Sequence, residues 1–306
     1  MKHNKIFVSI ASYKESELKH TVDTLIQRAT YSDNLRVVVC QQDDPTKFVN
    51  FSYSVVESID VNYITSRGCC WARRQIQDRY NNEEYFLQID AHCVMVQDWD
   101  SIIIDQIKRA KKISSNPVVL AAYPAGYFVV GGRRKFNEMC YQRTTIKDDP
   151  LNLYGIWLTG HPNAIPQTLI EPVSTPFINA GLMFGDGSFM NDCLYDPDIY
   201  YDGEELLNTV KAFTHGYDLF NPNAHICWHL YKDPNLNDRG IWTYHFESAE
   251  DEKRKIKVNN LKNQATIKLK KILSGQLPNE LGSVRTIADY ENYIGRSIMK
   301  KGIFIL

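Results

Sequence analysis

The stretch Tyr85-Phe86-Leu87-Gln88-Ile89-Asp90-Ala91-His92 is the part of the sequence that decides the fold class. It begins as an apolar run typical of a buried strand and ends in a carboxylate and an imidazole. In sheets built from β-α-β units, ligand sites lie beyond the carboxyl ends of the strands. Because residues i and i+2 of an extended chain point the same way, Asp90 and His92 could together bind one divalent ion.

The chemistry of this pair indicates the kind of ion and the need for a further ligand. A carboxylate with an imidazole suits a borderline ion such as manganese better than calcium. A third ligand could be His229, near the end of a predicted late strand, with His225 as the alternative. The motif alone also fits an N-capping aspartate beside a surface histidine, and either late histidine could be a hydrogen-bonded core residue.

Strand-like and helix-like segments alternate around this stretch, which predicts β-α-β units and a mainly parallel sheet. The strands are predicted at residues 6–10, 35–40, 61–64, 85–90, 118–123, 177–184 and 224–231. The helices are predicted at residues 15–29, 71–80, 98–113, 203–214 and 247–273. The expected fold is therefore α/β, with a mainly parallel central sheet and a C-terminal helical tail.

Two regions depart from the alternating pattern. Residues 128–176 lose the period and are rich in Gly, Pro, Asn and Asp, which predicts long loops or a small irregular layer. The tail helix has one apolar stripe, formed by Ile256, Val258, Leu261, Ile267, Leu269 and Ile272. We expect a main domain over residues 1–247 and a helical extension over 248–306 packed on the same unit.

The composition excludes several classes of function. With 35 Lys+Arg against 36 Asp+Glu, the net charge of −1 gives no global field to attract nucleic acid or an acidic membrane. The apolar run at residues 6–10 is too short for a signal peptide, and no stretch reaches the roughly 20 apolar residues of a membrane span. The 7 scattered cysteines lack a Cys-x-x-Cys motif. A soluble, cytoplasmic protein with free thiols is therefore expected.

Two charged motifs are further candidates for a site. Gly203-Glu204-Glu205 opens a predicted helix, where the dipole helps keep carboxylates ionised, although an ordinary acidic first turn explains it equally well. The segment Arg67-Gly68-Cys69-Cys70-Trp71-Ala72-Arg73 could bring two guanidinium groups and helix N–H groups to an anion such as pyrophosphate. Solvated arginines are the alternative. The sequence has no P-loop, dinucleotide-binding, zincin or Gly-x-Ser-x-Gly motif.

Taken together and in order, these segments resemble the cytoplasmic hydroxyproline α-N-acetylglucosaminyltransferases. The similarity runs through nearly the whole chain and is carried by residues 6–13, 70–73, 85–92, 99–100, 123–124, 179–181, 195–197, 203–205, 214–218, 229–231, 281–286 and 289–291. More distantly the sequence is similar to the polypeptide N-acetylgalactosaminyltransferases, whose Asp-x-His and Gly-Glu-Asn motifs match residues 90–92 and 203–205. Ala91 stands where the Asp-x-His motif usually has Ser, and residues 128–176 show little resemblance.

The resemblance implies a GT-A fold, a UDP-sugar donor and a retaining transfer that depends on Mn²⁺ or Mg²⁺. The donor implied is UDP-N-acetylglucosamine. The acceptor would be a hydroxyl group of a protein (hydroxyproline, Ser or Thr) or of a glycan, and residues 128–176 would form acceptor-side loops. Nucleic acid is not an expected partner.

The resemblance also implies roles for individual residues. Asp90, His92 and His229 would hold the metal, whereas Arg73, Glu204 and Glu205 would act in catalysis, Glu204 by positioning the sugar or acceptor. The uridine would contact Ser12, Tyr13, Glu15 and Gln41, and the sugar would contact Asn179, Ala180 and Gly181, with Gly181 giving room. Further donor contacts would come from Arg67, Trp71, Arg73, Asp90, Ala91, Glu204 and Tyr231.

Two other classes could use part of the same residue set. A metal-dependent hydrolase of nucleotide-sugars could use Asp90, His92 and His229 and would need no acceptor. A catalytically inactive nucleotide-sugar-binding module would keep the uridine contacts but would gain nothing from the metal. A transferase of another UDP-hexose is a further alternative.

Overall fold

The computed structural model of the chain describes residues 4–148, 156–164, 171–231 and 252–298. Its strands are β1 (Ile6–Tyr13), β2 (Leu35–Asp43), β3 (Val56–Asn62), β4 (Tyr85–Asp90), β5 (Cys93–Met95), β6 (Val118–Ala121), β7 (Ala125–Val130), β8 (Arg133–Phe136), β9 (Cys140–Asp148), β10 (Ile156–Ala164), β11 (Val173–Ser174), β12 (Leu182–Asp186), β13 (Asp218–Asn221) and β14 (Cys227–Leu230). Its α-helices are α1 (Leu18–Gln27), α2 (Cys69–Gln77), α3 (Trp99–Ile113), α4 (Phe189–Asp192), α5 (Glu204–Thr214), α6 (Glu252–Leu273) and α7 (Ile287–Ile294).

The central sheet has the strand order β11-β13-β6-β12-β4-β1-β2-β3. Strands β3, β2, β1 and β4 are parallel neighbours, and β12 lies antiparallel between β4 and β6. The inner strands are apolar runs because both faces are covered by other elements, as in β1, where Ile6 to Ile10 are buried. The structure thus confirms the predicted α/β class with a mainly parallel sheet.

Two predicted strands are displaced, and the backbone hydrogen bonds explain why. The strand expected at residues 61–64 is β3, which ends at Asn62, because the Asn62 side chain accepts a hydrogen bond from Ile64 N and caps a short 3₁₀ turn. The strand expected at residues 177–184 begins only at Leu182. Upstream of it, Ile178 N donates to Thr209 Oγ1 and Ala180 N donates to Glu205 Oε1. These backbone N–H groups therefore bond side chains of helix α5 and not a neighbouring strand of the sheet.

The prediction of loops over residues 128–176 is wrong for the described part of that region. Strands β7 and β8 form a hairpin at the edge of a second sheet of order β5-β14-β7-β8, and β9 pairs with β10. The sequence did not predict β8 because this strand is almost entirely exposed and so lacks an apolar alternation. Strand β13, which has 4 residues, was also missed.

The C-terminal helices pack against α5. From α6, Val258, Ala265, Leu269 and Ile272 are buried in one cluster with Leu206, Leu207 and Val210 of α5 and Tyr290 of α7. Ile267 is 50% exposed, so its predicted place in the buried stripe is wrong. It lies two residues from both Ala265 and Leu269, which turns it to the opposite side of the helix. The side chain of Ile256, the predicted helix start at 247 and the domain boundary at 247/248 lie outside the described residues.

None of the helices in the described ranges has both the length and the apolar character needed to cross a bilayer.

Candidate active site

Three predicted metal ligands meet at the carboxyl end of β4. This strand ends at Asp90, residues 91–92 form a turn, and β5 follows. Strand β14 pairs with β5 so that His229 lies opposite Cys93, which brings its ring to His92. His92 Nε2 lies 3.0 Å from His229 Nε2, and His229 Nε2 lies 3.1 Å from Asp90 Oδ2. The expected proximity of Asp90 and His92 therefore arises from a turn and not from an extended strand.

The distances in this cluster fit a six-coordinate divalent ion. An octahedral ion with bonds of about 2.1 Å separates neighbouring ligand atoms by about 3.0 Å. The two distances to His229 Nε2 are close to this value. Gly181 leaves the cluster open, since an added Cβ would lie 3.1 Å from Asp90 Oδ2. Asp90, His92 and His229 can therefore hold one ion with little rearrangement.

Glu15 fixes the orientation of the His92 ring. Its Oε2 lies 3.0 Å from His92 Nδ1, while its Oε1 accepts a hydrogen bond from Glu17 N at 3.0 Å. A proton on Nδ1 donates to this carboxylate and leaves Nε2 as the lone pair that faces Asp90 and His229. Such a carboxylate contact is the usual support of a metal-binding histidine. Glu15 also lines the cleft, so its expected contact with the uridine stays a prediction.

The electrostatics of the cluster favour the protonation states of Asp90 and His229 that can bind a metal ion. Burial raises the pKa of Asp90, but the hydrogen bond with His229 and the charges of His92 and Arg73 outweigh burial and hold that pKa well below its usual range. Burial and the nearby His92 lower the pKa of His229. For His92, burial lowers the pKa, but the contact with Glu15 outweighs it and raises the pKa. An ionised Asp90 and a neutral His229 are the forms that bind metals.

Arg73 connects the cluster of Asp90, His92 and His229 to helix α5. Its Nη2 donates to Asp90 Oδ1 at 3.1 Å, and its Nη1 donates to Glu204 Oε1. Glu204 also accepts hydrogen bonds from Cys69 Sγ at 2.8 Å and from Tyr195 OH at 3.3 Å. Glu204 is 5% exposed, so its carboxylate is enclosed by these partners. The sequence led us to expect that Glu204 faces the substrate. In this geometry it does not, because its carboxylate forms an ion pair with Arg73.

Glu205 holds the segment that was expected to contact the sugar. Its Oε1 accepts a hydrogen bond from Ala180 N at 2.9 Å, and Ala180 O accepts one from Gln88 Nε2 at 3.0 Å. Asn179 is fully buried and its Oδ1 accepts a hydrogen bond from Thr144 Oγ1 at 2.7 Å. The backbone at residues 179–181 is thus fixed next to Asp90 by helix α5 and strand β9.

The Glu205→Gln variant is expected to gain thermal stability at pH 8 but not at pH 5. Burial raises the pKa of Glu205 to about 7 in the folded state. The Glu205 carboxyl therefore ionises at a higher pH in the folded protein than in the unfolded chain, and ionised Glu205 destabilises the fold. The resulting cost is small near pH 5 and grows as pH rises through about 7. Thermal unfolding at both pH values, with exposed Glu138→Gln as the control, measures the difference. An equal change in Tm at both pH values would contradict the assignment.

A cleft opens beside these residues and is lined by part of the predicted donor-binding set together with two further predicted metal ligands. Of the predicted residues, those that line it are Ser12, Tyr13, Glu15, Arg73, Asp90, Ala91, His92 and His229. Gln41 is not among them. Its amide bonds Val49, Ser58 and Asp60, on the opposite side of β2 from Gln42, which does line the cleft. Because side chains alternate along a strand, Gln42 and not Gln41 faces the cleft in which the uridine was expected.

The remaining predicted contacts lie outside the cleft lining. Arg67 forms an exposed ion pair with Asp198 at 2.7 Å, and Trp71 packs against the core beneath the sheet. Tyr231 lies with its ring centroid 4.3 Å from that of His229 and donates its hydroxyl to Pro124 O. His225, the alternative ligand, bonds Cys140 O through Nδ1 at 2.9 Å and is not part of the cluster.

Sequence reasoning missed seven residues of the lining, namely Ala11, Gln42, Ser66, Gly68, Cys69, Tyr200 and Tyr201. Gly68 has a φ of 105°, and an added Cβ would overlap the Tyr200 carbonyl oxygen. Cys69 N also donates to that oxygen at 3.1 Å. A glycine before a predicted helix start was the available signal, but nothing local indicates that residues 200–201 close over it.

Comparisons with known proteins agree with this architecture. The family model described as Glycosyltransferase (GlcNAc) matches residues 5–52 and 43–300. No curated protein matches the sequence. The crystal structure of GalNAc-T7 with UDP, GalNAc and Mn²⁺ is similar, with a TM-score of 0.58 and 16% identity over 96% of this chain. Staphylococcus aureus (S. aureus) TarS 1–349 in complex with UDP-GlcNAc gives a TM-score of 0.52 and 14% identity over 95% of this chain.

The extent of these matches decides what they establish. The chain covers 55% of the GalNAc-T7 chain and 70% of the TarS chain. At such low identity the likeness concerns the fold alone, which is the GT-A fold expected from the sequence.

Proposed function

The chain belongs to the Glycosyltransferase (GlcNAc) family, and on this basis we propose that it transfers N-acetylglucosamine from UDP-N-acetylglucosamine to a hydroxyl acceptor. The observation that supports the proposal most strongly is the convergence of Asp90, His92 and His229 at the floor of the cleft. The similar structures GalNAc-T7 and TarS were crystallised with UDP and with UDP-GlcNAc, which supports a UDP-sugar donor here.

In this proposal, Asp90, His92 and His229 hold Mn²⁺ or Mg²⁺, and Glu15 orients His92. The ion would supply Lewis-acid stabilisation of the negative charge that develops on the diphosphate. Arg73 adds a fixed positive charge at the same wall while holding Asp90 and Glu204 in place. Ser12, Tyr13 and Gln42, at the ends of β1 and β2, contact the uridine. The segment 179–181 contacts the sugar.

The proposed transfer proceeds with retention at the anomeric carbon. The bond between the sugar C1 and the diphosphate oxygen breaks, and the acceptor oxygen forms the new bond to C1 on the same face. The acceptor proton passes to the leaving phosphate oxygen, so no protein base is required. Glu204 therefore acts as a positioning residue for Arg73, and Glu205 positions the backbone at Ala180.

The acceptor and the domain division follow from the same resemblance. We propose a protein hydroxyl, first of all hydroxyproline, as the acceptor, with Ser/Thr or glycan hydroxyls as alternatives. The described hairpin of β7 and β8 and the paired strands β9 and β10 would form the acceptor side of a catalytic domain over residues 1–247. Residues 248–306 would extend it, and a cytoplasmic location fits the proposed substrates.

A donor panel tests the proposal. With Mn²⁺ and a hydroxyproline peptide, we expect UDP-N-acetylglucosamine to be turned over faster than UDP-glucose, because a site that bonds a substrate group rejects analogues that lack it. A proline peptide and added chelator are the controls, and the anomeric configuration of the product tests retention. Equal use of both donors, or exclusive use of a galacto-configured sugar, would contradict the proposed donor. Release of free sugar at the same rate without an acceptor would identify a hydrolase.

A further inference from the structure

A second group of metal-competent side chains lies in the wall of the cleft. Cys69 and Cys70 are the first two residues of α2, and Glu204 is the first residue of α5. Cys69 Sγ lies 3.9 Å from Cys70 Sγ and 2.8 Å from Glu204 Oε2. The three ligand atoms all lie within 4.8 Å of one another. The proposed transfer uses neither thiol.

The spacing of the two sulfur atoms matches a tetrahedral site. With zinc–sulfur bonds of about 2.3 Å, two thiolates on a tetrahedral ion are about 3.8 Å apart. The observed 3.9 Å therefore needs almost no adjustment. The contact between Cys69 and Glu204 is shorter than the roughly 3.5 Å between a sulfur and an oxygen ligand on the same ion, so the Glu204 carboxylate would have to move outward.

The burial of the group leaves one route of access. Cys70 is 2% exposed and Glu204 is 5% exposed, whereas Cys69 is partly exposed and lines the cleft. An ion would reach Cys69 first, from the side where the donor is proposed to bind. The charge of the group also suits a divalent cation, because two thiolates and a carboxylate carry three negative charges beside a single Arg73.

From this geometry we propose that Cys69, Cys70 and Glu204 form a second metal site, specific for a thiophilic divalent ion such as Zn²⁺ or Cd²⁺. Thiolate ligands select soft ions, whereas the carboxylate and imidazole set at Asp90 suits Mn²⁺ or Mg²⁺. Binding releases the two thiol protons to solvent. It also draws Glu204 away from Arg73, so occupation of the second site inhibits the enzyme while Mn²⁺ remains at the first.

Cadmium titration of the purified chain tests the binding directly. With Mn²⁺ in excess to occupy the first site, we expect the ultraviolet sulfur-to-cadmium charge-transfer band to saturate at one Cd²⁺ per chain. Cys70→Ala and Cys69→Ser are each expected to weaken binding by about 100-fold or more, because loss of even an outer-shell partner of a metal ligand costs about 10–100-fold. Cys140→Ser is the matched control, since it removes a partly exposed thiol outside the group.

The outcomes separate this site from other thiols and from the proposed transfer. The control should bind Cd²⁺ as the unmodified chain does. A band that persists in both Cys69→Ser and Cys70→Ala would overturn the proposal and point to other cysteines, such as the buried Cys93 and Cys227. No band in the unmodified chain would overturn it as well. Because the band is read without a sugar donor, the test of binding is independent of the donor assay, whereas the inhibition rests on the proposed function.

Discussion

Replacing His229 with alanine is expected to reduce sugar transfer with Mn²⁺ by about 10³-fold, which corresponds to about 4 kcal/mol of the barrier. The variant keeps Asp90 and His92 but loses the nitrogen that lies about equally far from both, 3.0 Å from His92 Nε2 and 3.1 Å from Asp90 Oδ2. Two ligands hold a divalent ion more weakly than three, so the Mn²⁺ concentration needed for half-maximal rate should also rise. Initial rates over a range of Mn²⁺ concentrations measure both effects.

His225→Ala is the matched control for this prediction. The two histidines lie four residues apart and are both buried, but His225 bonds a backbone carbonyl and stays outside the cluster. We expect its Mn²⁺ dependence to match that of the unmodified chain, even if the variant is somewhat less stable. If His225→Ala lost metal-dependent transfer and His229→Ala kept it, the ligand assignment would be wrong.

Arg73→Met is expected to lower both turnover and stability. The substitution removes the cation that pairs with both Asp90 and Glu204 and leaves the buried Glu204 carboxylate without its counter-charge. Removal of one partner of a buried ion pair costs about 3–5 kcal/mol of folding free energy. Turnover should fall by about 10²-fold or more, because the fixed positive charge near the diphosphate is lost.

A neighbouring arginine supplies the control, and a metal titration separates the two effects. Arg74 is partly exposed and pairs only with Asp78 among the bonds seen in the described residues, so Arg74→Met should leave kcat nearly unchanged. Arg73→Lys keeps the charge but not the forked geometry, and it should recover part of the stability with a weakened Mn²⁺ dependence. A destabilised Arg73→Met variant with normal kcat and normal Mn²⁺ dependence would show that Arg73 is only structural.

The local patterns predicted the frame of the site because they reflect burial within single elements. Strand β4 runs from Tyr85 to Asp90 as predicted, since an apolar run that ends in a carboxylate marks both the strand and its end. The start of α5 at Glu204 follows from Gly203, whose φ of 83° precedes the helix. His229, which the sequence offered as a third ligand, lies next to Asp90 and His92 in the structure.

The parts that the sequence could not supply depend on distant contacts. Arg73 and Glu204 are 131 residues apart in the sequence. No local pattern shows that Arg73 pairs with the Glu204 carboxylate, which was expected to face the substrate. Gln42 and not Gln41 lines the cleft, because a shift of one residue along a strand moves the side chain to the opposite face. Strand β8 was missed for a different reason, because an almost entirely exposed strand carries no apolar period.

Anomalous diffraction from crystals grown with Mn²⁺ and UDP tests the proposed metal and donor site most directly. We predict a manganese peak within about 2.5 Å of Asp90, His92 and His229 ligand atoms, with the diphosphate of UDP completing its coordination. The uridine should lie against Ser12, Tyr13 and Gln42 in the cleft. A manganese peak more than about 6 Å from His229, far beyond a coordinate bond of about 2 Å, would contradict the central claim of a metal-dependent UDP-sugar site at these three residues.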